Sequence, residues 1–366
     1  MIKKEASADI LLYLALFCLG MNYIMYNALG IEQFKTSLRI IGIALLLTKW
    51  VISGKTRITM MQGMLLFLSV IALILNGFES IKLLTLVVIG ISMGEDETGA
   101  KIAYQVNVLL FYAVIVLLAT GIMHNRVWYG GNEIIRKTRW TLGFGNPNHA
   151  TAFFTSFFCL YVMTRNKLTK WHLLILLVVE VGIFYFTNSR TWFIAYVFFS
   201  AILFIMLYTD RIQNILQTLC IIIIDVFFAI HLFLQYILGF LMRFDVLFSF
   251  RISRFQTELS RFGLREYLLG GGIVSVDSMY ISLLYDYGLL AYIIVWVCVH
   301  ITMKNLRNDN NYKMLAFVAA MLTAGLMESS TIRPEFMSSI ILWNVIVFNC
   351  QPRRGISETI LTKSYM

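Results

Sequence analysis

Charge is what this chain has least of. Only 14% of its 366 residues are Asp, Glu, Lys or Arg, against 59% apolar, which excludes a water-soluble fold built around one buried core. Proline is scarce as well, with three in the whole chain. The five cysteines, Cys18, Cys159, Cys220, Cys298 and Cys350, stand singly in or beside apolar segments. Without a CxxC pair they read as packing residues, not as a disulfide framework or a zinc site. His124, His149, His172, His231 and His300 are equally scattered, and their spacing offers no metal site.

What is present in excess is long apolar sequence. A helix needs about 20 apolar residues to cross a hydrocarbon layer of roughly 30 Å, and runs of that order recur from end to end. Turn and charge punctuation divides them into about twelve spans, at 9–29, 37–53, 60–76, 81–93, 101–123, 148–164, 171–188, 191–208, 212–239, 277–302, 312–328 and 335–350. The expected fold is an all-α, polytopic transmembrane bundle, with residues 1–366 forming a single integral membrane domain. The first run has no clear small-residue cleavage site, so it is read as a span, not a signal peptide. Thr187–Arg190 and Tyr208–Arg211 are very short turns, which pack their flanking helices as antiparallel neighbours.

The net charge of +10 is distributed along the chain as a topology signal, which argues against a nucleic-acid partner. With Lys3 and Lys4 inside, one set of loops carries Lys49, Lys55, Arg57, Lys101, Arg165, Lys167, Lys170, Arg211, Lys304, Arg307, Lys313 and the tail residues Arg353, Arg354 and Lys363. The opposite short loops carry Lys35, Arg39, Lys82, Arg190 and Arg333. Both termini are therefore expected on the cytoplasmic side. Two longer connections, 124–147 and 240–276, fall outside and are nonetheless basic. The first holds Arg126, Arg136, Lys137 and Arg139; the second holds Arg243, Arg251, Arg254, Arg261 and Arg265. Clustered cations where the rule predicts few call for another cause, and an anionic ligand at the outer surface is one.

The larger loop has the sharper pattern. Over 248–265 the sequence predicts an amphipathic helix in the interface plane. Arg251, Arg254, Glu258, Arg261 and Arg265 share a sector of about 80°, and Phe248, Ile252, Phe255, Leu259 and Phe262 fill the next one. Two readings of the arginine stripe stand side by side: contact with anionic lipid headgroups, or a diphosphate site. Gly270-Gly271-Gly272 follows, permitting positive φ and close backbone approach. Asp277 at the entrance of the next span is either a hydrated end residue or a proton acceptor. Arg190 is rigidly mounted in its short turn, and its alternatives are headgroup snorkelling and ligand binding. In Gly145-Asn146-Pro147-Asn148-His149 the asparagines suit helix capping, with His149 as a base the minority reading. Glu180, Asp225, Asp286 and Glu328 lie in or near apolar spans, where ionised groups are costly unless paired. Glu328, followed by Ser329-Ser330-Thr331 and Arg333, is the one nearest the outer side.

Gly145 to His149, the Ser189-Arg190 turn, Leu269 to Gly272, Val276-Asp277-Ser278-Met279-Tyr280 and Tyr287-Gly288 together resemble the Wzy polymerase and O-antigen ligase superfamily, over about residues 140–350. That resemblance implies a GT-C-type glycosyltransferase of the bacterial cytoplasmic membrane, with its active site on the outer face. It implies an undecaprenyl diphosphate-linked glycan as donor, no cofactor and no metal, and a flippase and chain-length regulator as partners beside membrane lipid. Members carry an arginine and a glycine with ten residues between them, as Arg261 and Gly272 are. The ligase branch commonly has histidine where this chain has Asp277, so the polymerase branch is favoured and a ligase is the alternative. The implied site comprises Asp277 and Arg190 as catalytic residues, Arg190, Arg254, Arg261 and Arg265 on the diphosphate, and Asn148, His149, Gly272, Tyr280 and Glu328 as acceptor or loop support. The rival from another class is a repeat-unit flippase or other transporter; such proteins usually carry an internal repeat and broken midplane helices, and no convincing repeat is found here.

Overall fold

The computed structural model describes residues 2–54, 58–93, 97–130, 137–245, 251–271 and 277–351. These residues form sixteen α-helices and one short hairpin. In chain order they are α1 (Ile2–Asn27), α2 (Lys35–Ser53), α3 (Met60–Asn76), α4 (Ile81–Met93), α5 (Glu97–Ala119), β1 (Val127–Gly130), β2 (Lys137–Trp140), α6 (Pro147–Thr164), α7 (Lys170–Thr187), α8 (Arg190–Tyr208), α9 (Asp210–Leu232), α10 (Leu234–Leu241), α11 (Arg251–Leu259), α12 (Leu264–Leu269), α13 (Met279–Tyr287), α14 (Leu289–Asn308), α15 (Tyr312–Ala324) and α16 (Met337–Asn349). Seven of them, α1, α2, α5, α7, α8, α9 and α14, are long and apolar enough to cross a membrane. The chain has the make-up of a multi-pass helical membrane protein.

Local chemistry sets many of the boundaries. Thr59 and Gln62 satisfy each other's backbone N–H groups at the start of α3, an arrangement that pairs two otherwise orphaned donors. Asn146 accepts from the Asn148 N–H at 2.8 Å ahead of Pro147, whose fixed φ and missing donor suit a first helical position. Asn188 closes α7 in the left-handed conformation, φ 47°, which leaves room for α8 to begin two residues later.

The helices sort by exposure. In α4 and α16 nearly every side chain is buried, and α15 is close to that, as expected of helices apolar on all faces. The longer α5, α7, α8 and α9 instead expose large apolar groups such as Tyr112, Val178, Ile194 and Ile222. An apolar outer ring around short enclosed helices is the arrangement a lipid solvent favours.

Three expectations are corrected. The helix expected over 248–265 is α11 alone within the described residues, with Ile252, Phe255 and Leu259 buried on one side. A turn at 260–263 then starts α12, where the Gly263 N–H donates to Glu266 Oε2 at 2.8 Å; Arg261 and Arg265 therefore leave the helical stripe, and Phe248 lies outside the described residues. The ninth expected span is broken at Phe233 into α9 and α10. The tenth is broken at Gly288 into α13 and α14. Gly288 has φ 87° and Gly270 has φ 79°. A Cβ on Gly288 would sit 2.7 Å from the Leu268 carbonyl oxygen, and one on Gly270 would sit 2.7 Å from that of Asp286. Two backbones pass where only hydrogen side chains fit, and Asn76 Nδ2 ties the junction by donating to the Asp286 carbonyl at 2.7 Å. The basic 124–147 loop also contains order that was not expected, the antiparallel β1–β2 pair with Trp128 opposite Arg139.

Candidate functional site

At one end of the bundle several short connections converge. The α6 N-terminus presents Asn148 and His149, the α7–α8 turn presents Arg190, and the segment between α15 and α16 presents Glu328 and Arg333. Arg139 on β2 joins the first two: its Nε donates to the Thr187 carbonyl at 2.7 Å and its Nη2 to Asn148 Oδ1 at 2.6 Å. One guanidinium thus ties the hairpin to the end of α7 and the start of α6, and uses two of its five donors to do so. Burial lowers Arg139 from its ordinary value, opposed by attraction to Glu328 and reinforced by repulsion from Arg251 and Arg190.

Arg251, the first residue of α11, donates through Nη1 to the Met327 carbonyl and through Nη2 to Glu328 Oε1 at 3.4 Å. Its side chain is 20% exposed, against 8% for Glu328. Burial pushes Glu328 up to about 7, with Arg251 working against the shift and Asp277 adding to it. Glu328 therefore sits among Arg251, Asp277 and Arg333. Asp277 and Arg333 also act electrostatically on His149. Tyr23 of α1 closes one side: its hydroxyl donates to the His149 carbonyl at 2.9 Å, and its ring packs on Phe153 and Phe336.

Behind Tyr23 lies a small cavity of about 80 Å³, whose lining includes Lys35, Arg39, Lys82, Arg333 and Glu335. Four of the five cations on the sparsely charged loop set meet around this one space. Arg39 and Glu335 form a buried ion pair, and Asn22 Nδ2 donates to the same carboxylate at 3.4 Å. Around this end, His149 Nδ1, Ser189 Oγ, Trp192 Nε1 and Ser330 Oγ are buried with no hydrogen-bond partner among the described residues. Such atoms are costly, about 1–3 kcal/mol each, until solvent or a ligand satisfies them.

Of the residues expected from sequence, the structure brings Arg190, Asn148, His149, Asp277 and Glu328 into one neighbourhood. Arg254, Arg261 and Arg265 do not form one helical row, because α11 ends at Leu259. Arg261 is 64% exposed and pairs with Glu258 one helical turn away at 3.2 Å, while Arg254 and Arg265 are exposed. Tyr280 is fully enclosed, donating to the Leu322 carbonyl at 3.0 Å and stacking on His231, so its place is in the packing beneath the site. Gly272 lies outside the described residues. Sequence reasoning missed Arg139, Arg251 and Arg333 as members. Arg251 heads the predicted stripe, and Arg139 is one of four cations in the outer loop, but only the fold selects them from their neighbours. Comparison with family models, with curated proteins and with solved structures finds no match.

Proposed function

We propose that the chain is a membrane glycosyltransferase of the polysaccharide-polymerase kind, joining oligosaccharide units carried on undecaprenyl diphosphate at the outer face of a bacterial membrane. The reading takes twelve of the helices, α1 to α9 and α14 to α16, as spans, with both termini inside. The observation that carries it is the gathering of Arg139, Arg190, Arg251 and Arg333 around Glu328, Asp277 and His149 at one helix end. A site with that surplus of guanidinium groups suits a diphosphate, to which arginine donates in pairs. Orphaned polar atoms beside it suit a ligand rich in hydroxyls.

In this reaction an acceptor hydroxyl oxygen bonds to the anomeric carbon of the donor while that carbon's bond to the lipid diphosphate breaks. The electron pair leaves with the diphosphate, and the hydroxyl proton goes to a carboxylate, for which Asp277 is assigned. Arg190 and Arg333 offset charge growing on the leaving group; one well-placed donor of this kind is worth on the order of 3 kcal/mol. General-base assistance adds roughly 10²–10⁴-fold. The sequence resemblance described above gives the same class of reaction.

The test replaces Arg190, Arg333 and Asp277 singly and follows glycan chain length in cells with an intact flippase. Each variant is expected to leave single lipid-linked units on the outer face. Long polymer from all three variants would end the proposal, and units trapped on the inner face would assign the chain to export instead.

A further inference from the structure

A sizeable cavity lies at the opposite end of the bundle from the arginine site. It encloses about 610 Å³ where α6 and α8 finish, α15 begins and α16 ends. Lys101, Arg165 and Lys313 line it, and Asp309 is the one carboxylate among the described lining residues. Lys313 Nζ donates to the Arg165 carbonyl, and the Arg165 guanidinium lies over the Tyr161 ring, 4.5 Å from its centroid, so both cations are held at the rim by neighbours. The lining amides are mostly committed. Asn311 accepts from the Met314 N–H, and Asn349 Nδ2 donates to the Val345 carbonyl at 3.0 Å. Asn344 is different: it is 9% exposed, lines the cavity, and its Oδ1 has no hydrogen-bond partner among the described residues. Met163, Leu207 and Phe348 supply an apolar wall.

We infer that this cavity binds a phosphate ester bearing a free hydroxyl, its anionic group at Lys101, Arg165 and Lys313 and its hydroxyl donating to Asn344 Oδ1. Three cations against one carboxylate among the described lining residues favour an anion. A buried acceptor selects a donor on the same ligand, because an unmet acceptor in a dry site is costly. The apolar wall, at the depth where helices end, fits the first carbons of an acyl chain. A phospholipid headgroup and a soluble phosphate ester share this chemistry. The inference stands whether or not the opposite end transfers glycans.

Purified full-length protein is titrated with phosphatidylglycerol, phosphatidic acid, phosphatidylcholine and glycerol 3-phosphate, and bound ligand is counted by native mass spectrometry. Phosphatidylglycerol is expected to bind in preference to phosphatidylcholine. Lys101→Gln and Arg165→Gln, both at exposed positions, should each weaken it about fivefold, the effect of one surface cation on an anionic headgroup. Lys167→Gln, on the same turn but outside the cavity, should leave it unchanged. Asn344→Leu should lower affinity for phosphatidylglycerol while sparing phosphatidic acid, which has no headgroup hydroxyl. Competition by glycerol 3-phosphate assigns the cavity to soluble esters, and failure to compete assigns it to lipid. No binding preference, or equal binding by wild type and both cation variants, overturns the inference.

Discussion

Glu328 is held where its protonation and its ion pair compete. In the folded protein burial keeps its proton on up to about 7, whereas the ordinary value is 4.5. Between those pH values the native state binds more protons than the unfolded chain, so this group's contribution to stability is present at the acidic end and lost as pH rises towards 7. Glu328→Gln cannot ionise. Its melting temperature in detergent should therefore change less than that of wild type between pH 4.5 and 7, and identical slopes would show that Glu328 is not the group responsible. Arg39 and Glu335 pose the complementary case, since both side chains are less than a tenth exposed. Removing one partner strands a buried charge, at a cost of about 3–5 kcal/mol. Glu335→Ala should lower the melting temperature sharply, and the double change Arg39→Met with Glu335→Leu should recover most of the loss.

At the scale of elements, the junction of α12 with α13 and α14 is the least substitutable. Gly288→Ala adds a methyl 2.7 Å from backbone atoms at a φ of 87°, a combination of strain and clash costing more than about 1 kcal/mol. Gly63→Ala meets nothing closer than 3.9 Å and replaces a helical glycine, which is worth roughly 0.5–1 kcal/mol in the other direction. Thermal unfolding of the two variants should shift with opposite sign. The same junction explains what could be read from the sequence. Helices such as 60–76 and 81–93 were legible because apolar runs and their polar punctuation are local signals. The break at Gly288 was not, because its cause is Gly270, whose approach depends on chain folding back across the intervening segment. Arg139 was hidden for a similar reason: its partners, Thr187 and Asn148, belong to two other elements. Arg190, Asp277 and Glu328 could be named because a cation in a tight turn and acids beside apolar runs are conspicuous wherever they stand.

At the scale of the molecule, Arg261 and Lys167 lie towards opposite ends of the bundle, so the proposed topology makes them opposite in access. With the native cysteines buried or half-buried, Arg261→Cys should react with a membrane-impermeant maleimide in intact cells, and Lys167→Cys only after permeabilisation. The reverse pattern would invert the assignment of faces. The enclosed helices α4, α15 and α16 are each 13 residues long, which is about 20 Å of rise beneath a hydrocarbon layer of roughly 30 Å. In the proposed topology both recesses sit where these short helices stop; were both filled with water, the transmembrane voltage would fall across about 20 Å of protein instead of roughly 30 Å, a field about one and a half times that in the surrounding bilayer.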